Sequence, residues 1–298
     1  MIANPRATNA RRSALDAARR LLAQRFDLEW RETTQPGHGR ELAARAGGEG
    51  FALVAALGGD GTVNEVVNGL LAAGEGPVPA LVLLPAGQAD VLARIVGVPR
   101  GPVRAANHLI AHCRRRRELP LGAVGNRLFT FAAGIGLDAA VAARVDANPA
   151  AKARFGPFYY AFAALGEARR YRRRPPTVEV RWEGGSAVGL SAAFQCAPAY
   201  TYFKGLAISV NGTPPGLIAG GALQAAGPRA AAAIGWRAVG RRRPLAGGWP
   251  VAPLPPSPTF TVAVLEGRPL PVQVDGDAIG TFAEATFTAA DRRLVLAG

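Results

Sequence analysis

The sequence predicts an α/β layer built on a parallel sheet, followed by a second, predominantly antiparallel β domain. Three observations carry this prediction. Phe51–Leu57 and Ala80–Leu84 are unbroken apolar runs of strand length, the pattern of strands buried on both faces of a parallel sheet. Segments of helical spacing stand between them. After Arg114–Arg117 the runs shorten and become bounded by turn residues, the signature of an antiparallel domain. The chain has 298 residues, a length that suits two domains.

In order along the chain, Ser13–Phe26 carries Leu15, Ala18, Leu21 and Leu22 at helical spacing, with Ser13 placed to cap it. Asp27–Thr33 reads as extended and Gly39–Ala46 as helical. Phe51–Leu57 is the first buried strand. Val63, Val66, Val67, Leu70 and Leu71 set a helix after it, Ala80–Leu84 is the next strand, and Gln88–Val96 a further helix. Beyond Gly122, the segments Arg127–Ala132, Thr177–Trp182, Ser191–Cys196, Thr259–Leu265, Leu270–Val274 and Glu284–Thr288 read as strands. The helix Phe158–Tyr171 interrupts them, and the Gly/Pro-rich Ala246–Pro258 reads as a loop. The change of character divides the chain into residues 1–122 and 123–288.

Composition narrows the possibilities. A hydrophobic content of 49% supports a sizeable core and excludes whole-chain disorder. The longest apolar stretch, Leu128–Ala143, is interrupted by Asp138, so a membrane-spanning helix is not expected. The opening residues lack the apolar core of a signal peptide, and Cys113 and Cys196 form no disulfide framework, so a cytosolic setting is expected. The net charge of +14 is almost all arginine, with Lys152 and Lys204 as the lysines. Such a field attracts phosphate-bearing partners without choosing among them, and a GC-rich genome accounts for much of the skew.

The most informative run is Leu57-Gly-Gly-Asp-Gly-Thr-Val-Asn-Glu65, between a buried strand and an amphipathic helix. Open parallel sheets bind ligands at this edge. Gly58, Gly59 and Gly61 let backbone approach a phosphate, the helix N-terminus offers N–H groups to it, and Thr62 adds a hydroxyl. Bare phosphate repels a carboxylate, so Asp60 fits best as a ligand of Mg2+, directly or through water. The run is neither the GxxxxGK[ST] nor the GxGxxG phosphate loop.

Gly58–Leu70, GGDGTVNEVVNGL, resembles the signature of the diacylglycerol kinase catalytic-domain family, which includes bacterial lipid kinases, ceramide kinases and sphingosine kinases. GGDGT is shared with the NAD kinases, and the extension from Asn64 favours the lipid-kinase branch. Five further segments match in the family's order. Ile2-Ala-Asn4-Pro5 is similar to its opening turn beside the nucleotide. Thr33–Ala43 resembles a segment whose threonine, here Thr33, lines that site. Leu84-Pro-Ala-Gly87-Gln88-Ala-Asp90 resembles its second glycine turn. Ala133-Gly-Ile-Gly-Leu-Asp138 and Val272-Gln-Val-Asp275-Gly276-Asp277 complete the set.

The resemblance implies an ATP- and Mg2+-dependent lipid kinase that phosphorylates a hydroxyl of a diacylglycerol-like or sphingoid-like acceptor. It also implies an active site in the cleft between a nucleotide domain and a lipid-acceptor domain. Asn4, Thr33, Gly58, Gly59, Asp60, Gly61, Thr62, Glu65, Gly87 and Gln88 would hold nucleotide, Asp60 the metal, and Asp275 would be the general base. Residues 289–298 would return to the first domain. Against this stands an ordinary hairpin turn for Asp275–Asp277, for which Asp-Gly is a strong signal. For Asp138, a place in the site network and a helix cap stay equally open.

The chain departs from the family's pattern in three places. Gln88 and Asp90 replace a threonine and an asparagine, so a negative charge stands where a neutral amide is usual. Cys196 replaces an asparagine and reads as a buried structural thiol. Asn211–Ile218 has no acid where many bacterial members hold a structural magnesium, so that second metal is not expected. These departures keep open a member that binds nucleotide or lipid without efficient transfer, and more weakly an NAD kinase-like enzyme. His38 reads as structural, and His108 with His112 as a solvated helix face. The arginine clusters Arg114–Arg117, Arg169–Arg174 and Arg241–Arg243 are solvated faces, or one of them meets an anionic membrane. Nucleic acid is not an expected partner, because no groove-reading motif accompanies the charge.

Overall fold

The computed structural model describes the chain apart from residues 10, 73–76, 149–150, 152–156, 173–176 and 266, and the side chains of 146, 157, 158, 160 and 161. Arg173 and Arg174 of the Arg169–Arg174 cluster therefore lie outside the described residues. Two compact units are present: Met1–Leu119 with Asp291–Gly298, and Pro120–Ala290.

In the first unit the elements run β1 (Ile2–Ala3), α1 (Arg12–Ala23), β2 (Arg31–Glu32), α2 (His38–Gly48), β3 (Leu53–Gly58), α3 (Asp60–Leu70), β4 (Ala80–Pro85), α4 (Val91–Ile95), α5 (Pro102–His112) and β5 (Arg116–Leu119). A last strand, Leu294–Ala297, joins this sheet between β4 and β5. The order is β2-β1-β3-β4-(Leu294–Ala297)-β5, parallel except where β5 runs against its neighbour. The two apolar runs form its centre, with β3 and β4 in register from Leu53↔Ala80 to Gly58↔Pro85. Leu15, Ala18 and Leu22 are the buried stripe of α1.

Three local expectations change. Helix α1 starts at Arg12, so Ser13 lies inside its first turn and does not cap it. The extended segment contracts to Arg31–Glu32, where β1 offers partners for two residues. The helix expected from Gln88 begins at Val91, because Gly87–Asp90 is spent on a turn whose last residue, Asp90, has φ 48°.

The second unit holds two six-stranded sheets. Its strands are β6 (Gly122–Val124), β7 (Arg127–Phe129), β8 (Ala132–Ile135), β9 (Val178–Trp182), β10 (Gly185–Gly189), β11 (Ser191–Gln195), β12 (Thr201–Phe203), β13 (Leu206–Ile208), β14 (Ile218–Leu223), β15 (Val251–Ser257), β16 (Thr259–Val264), β17 (Leu270–Val274), β18 (Asp277–Phe282) and β19 (Glu284–Ala289). Its helices are α6 (Leu137–Asp146), α7 (Pro157–Tyr171) and α8 (Pro228–Gly235), the last running on into a π-helical turn, Trp236–Gly240.

One sheet is β10-β9-β16-β19-β6-β7 and the other β15-β14-β11-β8-β17-β18, with β12–β13 a separate hairpin. Among the described residues every strand pairing in this unit is antiparallel. Phe194 of one sheet packs on Phe260 and Phe287 of the other, with ring centroids 5.1 and 4.3 Å apart. All three are fully buried and form the centre of the sandwich.

Strand β15 corrects the reading of Ala246–Pro258 as a loop. It accommodates Pro253, Pro255 and Pro256 because it lies at the edge of its sheet, where missing N–H donors leave no ladder bond broken. Cys196 is buried, donates weakly to the carbonyls of Pro120 and Phe129, and burial raises its thiol well above the usual range. Phe162, within the helix read over Phe158–Tyr171, is exposed.

Candidate active site

In the first unit three strand-to-helix loops meet at the C-terminal edge of the parallel sheet. The loop after β1 is tied down by Asn4, whose N–H donates to the Leu57 carbonyl at 2.8 Å and whose Nδ2 donates to Thr62 Oγ1 at 3.0 Å. Asn9 binds the third loop twice, through its N–H to the Ala86 carbonyl and its Nδ2 to that of Gly87. Between the second and third loops the backbones touch. A Cβ on Gly87 would lie 2.5 Å from the Gly59 Cα, and one on Gly59 would lie 3.2 Å from the Gly87 Cα. Only glycine at both positions permits this approach, and it makes one continuous backbone surface from two loops. Helix α3 opens there at Asp60, and the first N–H groups of any helix lack intrahelical acceptors.

Asp60 sits at the head of α3 with Oδ1 3.4 Å from the Leu92 N–H, so its carboxylate reaches across to α4. Asp90 turns inward. Its Oδ1 accepts the Gly87 N–H at 2.8 Å, and its Oδ2 lies 3.8 Å from Arg100 Nε, while Arg100 Nη2 donates to the Gln88 carbonyl at 2.9 Å. The charge that replaces a neutral amide thus holds the second glycine turn and is itself partly met by Arg100. Burial raises the Asp90 carboxyl above its ordinary value, offset in part by the Gly87 bond and by Arg100 and Arg94. The Gln88 side chain stays half-exposed.

Glu65 lies one turn further along α3 and caps the neighbouring helix. Its two carboxylate oxygens accept the N–H groups of Gly37 at 2.7 Å and Gly39 at 2.9 Å. An anion at a helix N-terminus answers both its free donors and its dipole. The same turn holds His38, whose Nδ1 accepts the Thr34 N–H at 3.2 Å. Thr33, bonded through its N–H to the Ala3 carbonyl, brings this segment beside β1.

The second unit carries two carboxylates of contrasting surroundings. Asp275 heads the β17–β18 turn at φ 50°, followed by Gly276 at φ 90°, the left-handed pair of a tight hairpin. Its carboxylate is buried and accepts four hydrogen bonds: Thr130 N–H at 2.8 Å and hydroxyl at 2.9 Å on Oδ2, then Phe131 and Ala132 N–H at 3.0 and 3.1 Å on Oδ1. It therefore organises the approach to β8.

Asp138, at the start of α6, packs its carboxylate over Gly134, where a Cβ would come within 2.3 Å of Oδ2. Its Oδ2 accepts the Tyr200 hydroxyl and, at 3.0 Å, the Gln273 Nε2, which also donates to the Tyr200 oxygen at 2.9 Å. Its Oδ1 is sealed from solvent and has no hydrogen-bond partner among the described residues. Gln273 in turn accepts the Gly276 N–H at 2.8 Å, so the network ends on the Asp275 turn. Helix α6 starts at Leu137 with no side-chain cap, so Asp138 does not cap a helix from Ala139; its carboxylate lies in this hydrogen-bond network instead. Sequence reasoning assigned no role to Tyr200, Gln273 or Thr130. The one signal was Gln273, a lone amide in an otherwise apolar strand.

Burial raises the Asp138 carboxyl above its ordinary value, and the Tyr200 and Gln273 bonds oppose that rise. A folded pKa above the unfolded one adds stability that is complete below the unfolded pKa, near 4, and is lost as pH rises through the folded one. Asp138→Asn removes that dependence while its carbonyl can still accept from Tyr200. The variant is expected to melt about 2–4 °C above the parent at pH 8, with the gap closing toward pH 4. Calorimetry across that range checks this; a variant that melts lower at pH 8 shows that the network requires the anion.

Residues 1–121 match the family model of the diacylglycerol kinase catalytic domain. A "Probable lipid kinase YegS-like" of Chromohalobacter salexigens is 38% identical over 114 residues, 38% of this chain and 36% of that protein. One of the same name from Pseudomonas aeruginosa is 33% identical over 161 residues, 53% and 51% of the two chains. A "Diacylglycerol kinase" of Bacillus subtilis is 35% identical over 112 residues, 37% and 36%. The matched segment thus spans about half or less of these relatives. The crystal structure of a diacylglycerol kinase from Bacillus anthracis superposes with a TM-score of 0.72 at 18% identity, over 99% of this chain and 95% of that one, which establishes a shared fold.

Proposed function

We propose, from the match of residues 1–121 to the diacylglycerol kinase catalytic-domain family, that the protein is an ATP-dependent lipid kinase acting on a hydroxyl of a diacylglycerol-like or sphingoid-like acceptor. The observation that carries the proposal is the double-glycine surface of Gly59 and Gly87, faced by the N-terminus of α3. A phosphate chain needs backbone N–H donors and close approach, and here both loops are stripped of side chains where they meet.

In this reading Asn4, Thr33, Gly58, Gly59, Gly61, Thr62, Gly87 and Gln88 surround the nucleotide. Asp60 fits Mg2+: among the described residues no three acidic, His or Cys side chains gather, and Mg2+ is commonly held by one or two carboxylates with phosphates and water completing its shell. The ion would neutralise charge on the transferred phosphoryl group. Glu65 acts through the Gly37–Gly39 turn that it caps, and so positions Thr33 and Thr34 without touching the phosphates. Asp275 is assigned to the acceptor hydroxyl as general base.

A second reading has its own observation. All four acceptor positions of Asp275 described above are already filled, which suits an anchor better than a proton acceptor, and fits a member that binds without efficient transfer. Labelled ATP offered with diacylglycerol, a sphingoid base and NAD separates the readings. The lipid kinase is expected to label lipid, and Asp60→Asn to slow it by about 10²–10³-fold. Label in NAD alone overturns the acceptor class. Calorimetric ATP binding with no labelled product on any acceptor favours the second reading.

A further inference from the structure

The second unit exposes an unusual face. Trp236 is 64% exposed, Trp249 58% and Val239 48%. Water-facing tryptophans are costly to keep, and two are carried by the linked segments Trp236–Gly240 and Gly247–Trp249. The Trp236–Gly240 turn runs into Arg241, Arg242 and Arg243, all exposed. Arg237 laces the turn to the following loop: its guanidinium donates to the carbonyls of Pro244 and Ala246, and its Nη1 occupies the space a side chain on Gly248, next to Trp249, would need. Arg237 follows Trp236 and Gly248 precedes Trp249, so this contact ties together the two segments that carry the tryptophans. The Trp236 ring folds over Gly240. Among the described residues no carboxylate lies within 4.0 Å of the guanidinium groups of Arg241, Arg242 or Arg243.

The loop leads toward the Asp138 network. Leu245 and Ala246 donate to the carbonyls of Ser209 and Val210, which follow the β12–β13 hairpin. That hairpin begins next to Tyr200, which bonds Asp138, and its tip exposes Phe203 beside Lys204. The loop that joins the arginines to Trp249 is thus hydrogen-bonded to the chain that runs back through the β12–β13 hairpin to the buried network.

We propose that Trp236, Val239 and Trp249, with Arg241, Arg242 and Arg243, form an interfacial anchor that seats the protein on an anionic lipid bilayer. Tryptophans favour the headgroup level, where the ring is apolar and the indole N–H meets polar groups. Each arginine near an anionic surface adds attraction. The anchor deepens the lipid-kinase reading and rests on it for its purpose, since a bilayer-resident acceptor has to be met at the membrane.

The other arginine clusters are less suited. Arg116 and Arg117 spend donors on the carbonyls of Cys113, Arg115 and Val96, and no aromatic residue with comparable exposure lies in that stretch of the chain. Arg170 is paired with Glu167, which also holds Arg144.

The test uses the whole chain with vesicles of phosphatidylcholine, alone or mixed with phosphatidylglycerol, at 0.1 M salt. The parent is expected to sediment with the anionic vesicles and to shift its tryptophan emission to the blue. Substituting Gln for Arg241, Arg242 and Arg243 together is expected to weaken partitioning about a hundredfold. Trp236→Ala with Trp249→Ala is expected to weaken it at least tenfold and abolish the emission shift. Arg114→Gln with Arg115→Gln is expected to change neither.

Equal binding to both vesicle types, no binding, or loss through the Arg114 and Arg115 pair overturns the proposal. So does a dimer that the tryptophan variant dissolves, since a second copy would then cover the face. Phosphorylation of a short-chain diacylglycerol in detergent is run in parallel. All variants are expected to match the parent there, and its absence in the parent overturns the kinase reading while leaving the vesicle result intact.

Discussion

Asp275→Asn is expected to lower the melting temperature on the order of 10 °C and to remove most lipid phosphorylation. An amide in place of the carboxylate turns an N–H2 toward donors on one side, either Thr130 or the Phe131 and Ala132 pair, and at least one buried backbone N–H loses its acceptor. Hydrogen bonds to a charged group contribute about 1.5–3 kcal/mol each, and a stranded buried donor costs a similar amount. Near its melting point, about 1 kcal/mol moves a unit of this size by roughly 2–4 °C. The decisive measurement is activity at least 20 °C below the variant's own midpoint, where it is folded. Rates within tenfold of the parent there remove Asp275 from proton transfer and leave it as the anchor of Thr130–Ala132. A loss beyond a hundredfold in folded protein supports the base.

Gly87→Ala is expected to weaken ATP binding on the order of a hundredfold and to cost about 1–3 kcal/mol of stability. The new methyl would sit 2.5 Å from the Gly59 Cα and 2.7 Å from Asp90 Oδ1, so it collides with backbone on one side and with the side chain that holds the turn on the other. Relief requires the two loops to part, which spreads the proposed phosphate surface. Gly48→Ala is the matched control. It lies at the end of α2 with nothing within 4 Å of its added methyl, and is expected to be neutral or slightly stabilising. Calorimetric titration with ATP and urea unfolding check both. A Gly87→Ala protein that binds ATP like the parent removes the double-glycine surface from the nucleotide site.

The α/β layer and the antiparallel sandwich were legible because burial writes itself into pattern. Leu53–Gly58 and Ala80–Pro85 are apolar throughout since each has a layer on both sides, and no helix of that composition fits six residues. Where pattern and context diverge, reading failed. Val251–Ser257 contains three prolines and looks like a loop, yet an edge position lets it pair through its carbonyl side. Gln88–Val96 has helical composition, yet the turn that Asp90 holds takes its first residues.

By itself the sequence determined which residues are chemically equipped: three glycines and an acid after a buried strand, a second glycine turn, and two acids in the β domain. These are local properties, set by backbone freedom and side-chain type over a few residues. Only the tertiary structure decided what each one faces. Glu65 caps a helix 26 residues away in sequence, Asp90 turns to Gly87 and Arg100, and Asp275 gathers donors from residues 143–145 positions earlier. Tyr200 and Gln273 join Asp138 from separate strands and loops. Hydrogen-bond partners are fixed by distances of about 3 Å, and such distances between remote segments are set by packing, which no short run of sequence contains.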